Sequence, residues 1–350
     1  MNLNDSLKKS LSILLDLAYP ERWDTAWLVL PIQGELTHSV HCFHIICSDL
    51  EHIKATKQSW PPASTEPAYW FRWEPTPGNG FFIRPRRYDP LLRDRFNLIL
   101  PDELLQSDGK NNPRSITRQA LIDACYFSAK SARMVWHNPA KGGANSPDSA
   151  HFQSMPVYWN DGSRDRFTFP CCSLQEKDSR WRASQDLHAR ILTRGVSRVE
   201  YPILGLVAWG PLIEAADFVW EVISRYDNAR ACNLVIQPCD HLSTDEAIVR
   251  IFVFPRNRAE PQFRVIESLL GHDELVLLKN NRGGVWSEWN FAGVEMGLLS
   301  QVEWGPLFEE MRMHPIKWGR TFLRLLQALT LKETEDDWRD FVKIVDRNRA

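Results

Sequence analysis

The sequence predicts an α+β fold, an antiparallel sheet flanked by helices. Three observations carry that prediction. Short apolar or alternating runs come in neighbouring pairs joined by polar connections, 26–31 with 40–47 and 232–237 with 248–254, as antiparallel strands do. Helical spacing occupies 4–18, 115–132, 211–226 and three segments beyond 306. No internal repeat or interdomain linker interrupts the chain, so residues 1–350 read as one unit.

Taken in order, residues 4–18 set Leu7, Leu11, Leu14 and Leu15 on one helical face, with Asn4 or Asp5 as the cap. The runs from Ala26 and Val40 flank Gln33-Gly34-Glu35 and read as a hairpin. Residues 56–68, rich in Pro, Ser and Thr, read as a loop. Tyr69 to Trp73 is an aromatic strand, which either stacks a base or packs its own core. A turn over Pro75 to Gly80 leads to strands at 81–84 and 96–101. Arg84, Arg86, Arg87, Arg93 and Arg95 between them read either as bidentate phosphate ligands or as a solvated face of paired charges. The helix over 115–132 carries Ile116, Ala120, Ile122, Ala124 and Phe127, and 133–136 is a strand. The polar stretch 160–185 holds the turn Asp161-Gly162 and the pair Cys171-Cys172, read as free thiols; it is a flap or a long surface loop. A strand at 203–209 breaks at Gly210-Pro211, and Pro211 suits the first position of a helix burying Phe218, Val219, Val222 and Ile223. In the later strand pair, Asn233 and Arg250 are polar residues inside apolar runs, and Arg256 follows the second strand. The run from Ala292 to Ser300 is a strand with glycines on both sides of Glu295.

Composition bounds the partners. Apolar residues make up 43%, enough for a substantial core, and the net charge of −2 provides no global field for nucleic acid or an anionic membrane. No apolar run reaches the roughly 18 residues of a membrane span, and the N-terminal stretch reads as an amphipathic helix rather than a signal peptide. Seven cysteines without C-x-x-C spacing point to a reducing cytoplasm. His38, His41, Cys42, His44 and Cys47 cluster in sequence, but alternation sends His41 and Cys42 to opposite faces, so an ordinary strand is expected and no metal.

The stretch from Trp136 to Gln153 stands apart. Gly142, Gly143 and small polar residues make a loop whose amides can converge on an anion. The chain then enters a strand at His151. Residues i and i+2 of a strand share a face, so His151 and Gln153 are expected to point the same way. A lone His-x-Gln would read as an ordinary strand pair beside a turn; the loop before it is what suggests phosphorus chemistry.

The same residues resemble the active-site segment of the histidine-triad-like nucleotidyltransferases and phosphorylases. That group includes the galactose-1-phosphate uridylyltransferases, diadenosine tetraphosphate phosphorylases and GDP-hexose phosphorylases. Their pattern is an asparagine, a glycine-containing loop, a serine, then His-x-His-x-Gln. Asn138, Gly142 and Gly143, Ser146, His151 and Gln153 fall at the matching positions, and Ser149 stands where the family has its first histidine. Weaker likeness covers 95–101, 231–256 and 292–299. The resemblance implies a histidine-triad-like fold and a nucleotidyltransferase or phosphorylase working through a covalent nucleotidyl-His151 intermediate. Gln153 would donate to a non-bridging oxygen, Ser149 would occupy the supporting position, and Asp148, near in sequence, would orient His151 in its stead. Asn138 would brace the loop. Ser146, Asn145 and the amides of Gly142 and Gly143 would hold the next phosphate, with Lys141 at the mouth. Arg256 would lie near the nucleotide or else be an exposed strand-end residue. Glu295 would bind a sugar hydroxyl or else pair with a core arginine. The substrate would be a nucleoside di- or polyphosphate or a nucleotide sugar, with no cofactor, and homodimerisation would follow by resemblance. A nucleotide-binding protein without turnover and a nucleotide hydrolase are the alternatives.

Overall fold

The structure, a computed structural model, describes residues 7–12, 25–31, 42–49, 71–76, 79–85, 96–100, 116–138, 151–156, 158–159, 167–168, 190–191, 205–226, 232–238, 248–256, 271–272, 294–299, 309–329 and 336–347. They form an α+β arrangement built on a nine-stranded sheet in which every described pairing is antiparallel. Its strands are β3 (Phe71–Trp73), β4 (Phe81–Pro85), β5 (Phe96–Ile99), β6 (Arg133–His137), β7 (His151–Pro156), β10 (Arg190–Ile191), β11 (Leu206–Pro211), β12 (Cys232–Pro238) and β13 (Ile248–Pro255). The spatial order is β10-β11-β13-β12-β6-β7-β5-β4-β3.

The expected antiparallel sheet with helices is present, and a second sheet was not foreseen. The hairpin of β1 (Thr25–Pro31) and β2 (Cys42–Asp49) forms as expected, but in a separate three-stranded sheet. There β14 (Val294–Leu299) pairs parallel to β2. Alternation marks a strand's faces and carries no label for its partner, so a parallel neighbour some 250 residues away in sequence leaves no local trace. A short ribbon of β8 (Tyr158–Trp159) and β9 (Phe167–Thr168) completes the described strands.

Helix α1 (Arg118–Ser131) begins where Thr117 accepts the Ala120 amide on its side-chain oxygen at 3.1 Å, and it ends at Ala132, whose φ of 54° is left-handed. Ser128 then donates to the Arg133 carbonyl at 2.7 Å, which ties the helix end to the start of β6. Helix α2 (Leu212–Arg225) starts directly after β11. Pro211 is its cap rather than its first residue, one position earlier than expected. Val219 and Val222 are buried as expected, with Phe218 and Ile223 partly buried against the core. The Arg118 guanidinium joins α1 to α2 through Asp217 at 2.6 Å. Helix α3 (Pro315–Leu329) lies on β1 and β2, and α4 (Asp336–Arg347) packs on α2, where Phe341 meets Tyr226 edge to face.

Alternation and register divide the nine-stranded sheet into two faces. One carries Phe81, Ile83, Phe96, Leu98, Val135, Phe152, Leu206, Ala208, Leu234, Ile236, Val249, Ile251 and Val253, and joins α1 and α2 in one apolar core. The opposite face is also buried, through Met134, Trp136, Met155, Val207, Val235, Phe252 and Phe254. That second face holds the polar side chains described next.

Candidate functional site

The strand registers bring together residues that are far apart in sequence. Trp136 is opposite Gln153 on β6 and β7, Leu234 is opposite His137 on β12 and β6, and Asn233 is opposite Phe254 on β12 and β13. Ile99 on β5 lies opposite His151. Continuing the β6 registers, by one residue on the β12 side and by two on the β7 side, sets Asn138 between His151 and Asn233. The resulting row runs Ile99, His151, Asn138, Asn233, Phe254 across five neighbouring strands, on the face away from α1 and α2. Gln153 sits one step further along β7 on that same face, and Arg256 lies two residues beyond Phe254. His151 and Gln153 do share a face, as their spacing required.

Two contacts define the local chemistry. Gln153 Nε2 lies 3.4 Å from His151 Nε2, at the long edge of hydrogen bonding. With the amide nitrogen donating, His151 Nε2 is the lone-pair nitrogen and Nδ1 carries the proton. Asn233 donates through Nδ2 to Asn138 Oδ1 in a short bond between β12 and β6. Asn138 therefore braces strand to strand, while its own Nδ2 is buried and has no hydrogen-bond partner among the described residues.

The polar groups here are deep. Gln153 is 5% exposed, Asn233 1% and Arg256 4%. Such burial costs free energy unless bonds replace those made with water. Of the two readings open for Arg256, an exposed strand end is thus excluded. Burial pushes its guanidinium down to about 9, which leaves it cationic at neutral pH. On the other face, Arg133 donates to Ser154 Oγ at 2.9 Å and sits 4.8 Å over the Phe96 ring, so it belongs to the core side.

Sequence reasoning passed over His137. It ends β6 on the helix-side face, tilted against Phe152 with centroids 5.3 Å apart, and its Nδ1 donates to the main-chain carbonyl of His151 at 2.9 Å. Desolvation pushes its imidazole down to about 4; the His151 charge adds to the lowering, and the bond to the carbonyl acts against it. It is neutral at pH 7, with its proton on Nδ1.

Lys141, Gly142, Gly143, Asn145, Ser146, Asp148 and Ser149 lie outside the described residues, as do Arg86, Arg87, Arg93, Arg95 and Cys171-Cys172. Glu295 lies on β14, opposite Ile45 of β2, within the three-stranded sheet. Of the cysteine and histidine cluster near the N-terminus, His38 and His41 are outside the described residues, and Cys42, His44 and Cys47 fall within β2. Among the described residues no group of three or more histidine, cysteine and acidic side chains is set to hold a metal, and no helix is long and apolar enough to cross a membrane. Cys125 and Cys232 are free and buried.

No protein-family model, curated protein or solved structure matches this chain.

Proposed function

We propose that the chain is a nucleotidyltransferase or phosphorylase of the histidine-triad-like kind, acting on a nucleoside di- or polyphosphate or a nucleotide sugar. The observation that supports this best is the row itself. His151, Gln153 and Asn138 share the sheet face away from the helices, at the two ends of the glycine-bearing segment 139–150. In the proposed reaction the His151 Nε2 lone pair attacks the α-phosphorus. The bond from phosphorus to the leaving phosphate oxygen breaks, and that oxygen keeps the electron pair. An acceptor phosphate oxygen then attacks the same phosphorus, and the imidazole leaves with its pair. The Gln153 amide gives up its 3.4 Å contact with the ring and donates to a non-bridging oxygen as negative charge builds there. Arg256 adds a buried positive charge on the same face.

The decisive experiment is intact-mass detection of a nucleotidyl adduct after exposure to nucleotides and nucleotide sugars. The adduct is expected to be acid-labile and to disappear in His151→Ala. A second reading, a binding protein without turnover, is favoured by the same Gln153 contact, since that amide occupies the lone pair needed for attack. Nucleotide affinity that survives His151→Ala, with no adduct in the parent chain, would select it.

A further inference from the structure

We infer that His137 is a positioning residue for His151, an inference that rests on the proposed nucleotidyl transfer. The β6–β7 ladder pairs Trp136 with Gln153, two residues short of the His151 row, and β6 ends at His137. At that point the His137 ring supplies the donor: its Nδ1–H bonds the His151 carbonyl oxygen at 2.9 Å. The side chain thereby extends the strand pairing by one bond, at the first residue of β7. The peptide it holds carries the His151 side chain on the opposite face, beside Gln153.

Two further features suit His137 to this role and not to proton transfer. Its ring is buried on the helix-side face, wedged against Phe152, so it stays away from a substrate on the His151 face. Its donor is fixed, because Nδ1 can bond the His151 carbonyl only when it carries the proton. A nucleophile held from behind by a fixed donor keeps its angle of attack without offering a competing proton. Misplacement of a reacting group by about 1 Å costs on the order of a hundredfold in rate.

The test compares His137→Phe, which keeps a planar ring without the donor, with His137→Asn, whose amide nitrogen stands near the place of Nδ1. Both are first shown by circular dichroism and thermal melting to fold as the parent does. His137→Phe is expected to slow adduct formation at saturating nucleotide by roughly tenfold to a hundredfold, with nucleotide affinity within about threefold of the parent. His137→Asn is expected to recover most of the rate. Equal rates in the Phe variant and the parent, or equal impairment in both variants, would overturn the inference. If the parent chain forms no adduct, the transfer reading fails on its own. The positioning is then read from 15N NMR of the His151 ring and the Gln153 amide. Signals displaced by Phe and restored by Asn uphold it, and signals unmoved by either variant sink it.

Discussion

His137 shows how one side chain can act through a main-chain atom and make folding sensitive to acid. An imidazole that titrates near 6.5 in the unfolded chain and near 4 in the folded one binds a proton on unfolding between those values. Its contribution is fully present above about pH 6.5 and is lost as pH falls toward 4, a change on the order of 3 kcal/mol. His137→Asn removes the titration while leaving a donor in place. Urea melts at several pH values should therefore show a shallower loss of stability for the variant between pH 6.5 and 4, with equal slopes in the two chains excluding this assignment. None of it was legible in the sequence, where Trp136-His-Asn ends an apolar run and a single histidine has no face until the register is known. Asn233 was legible as a polar residue in an apolar run, although its partner Asn138 was not. For Arg256 the sequence left two readings open, and burial removed one.

Among the elements, the junction of β3, β4 and α1 shows which local signals decide structure. Gly80 has a φ of 97°, and a Cβ there would fall 2.0 Å from the Trp73 carbonyl oxygen. Its amide donates to Asp123 Oδ2 at 2.7 Å, and Gln119 donates to the other carboxylate oxygen at 2.9 Å. Burial raises the Asp123 pKa, while those bonds and nearby Arg72 act in the opposite direction. Gly80→Ala is expected to cost about 2 kcal/mol or more from strain and collision. Asp123→Ala should cost about 1–3 kcal/mol by stranding a buried amide. If the added methyl displaces the Gly80 amide from Asp123, the double variant should lose less than the sum, as a chemical denaturation cycle would reveal; strict additivity would mean that alanine leaves that bond in place. The turn was readable from Pro75 to Gly80, since only glycine suits such a φ. The helix that receives it was readable from its apolar spacing. The bond between them spans 43 residues and has no local signature.

Across the whole molecule, alternation predicted strands well because a residue's face follows from counting by two. The order of the strands did not follow, because pairing is chosen by three-dimensional fit among many similar apolar ribbons. Hence the separate sheet of β1, β2 and β14, and the neighbourhood of β6 and β12, escaped the sequence. That neighbourhood has a temporal consequence. Asn138 and Asn233 join strands 95 residues apart, so the wall behind His151 can close only after a long loop has been drawn in. Non-local pairing of this sort is slow to form. During refolding from denaturant, far-ultraviolet helix signal should return first, and the nucleotidyl uptake proposed above should return later, in step with burial of Trp136. Simultaneous recovery would show that the segment works before the sheet is assembled. A peptide ending before β12 would hold every letter of the motif and lack the strand that the proposed chemistry leans on.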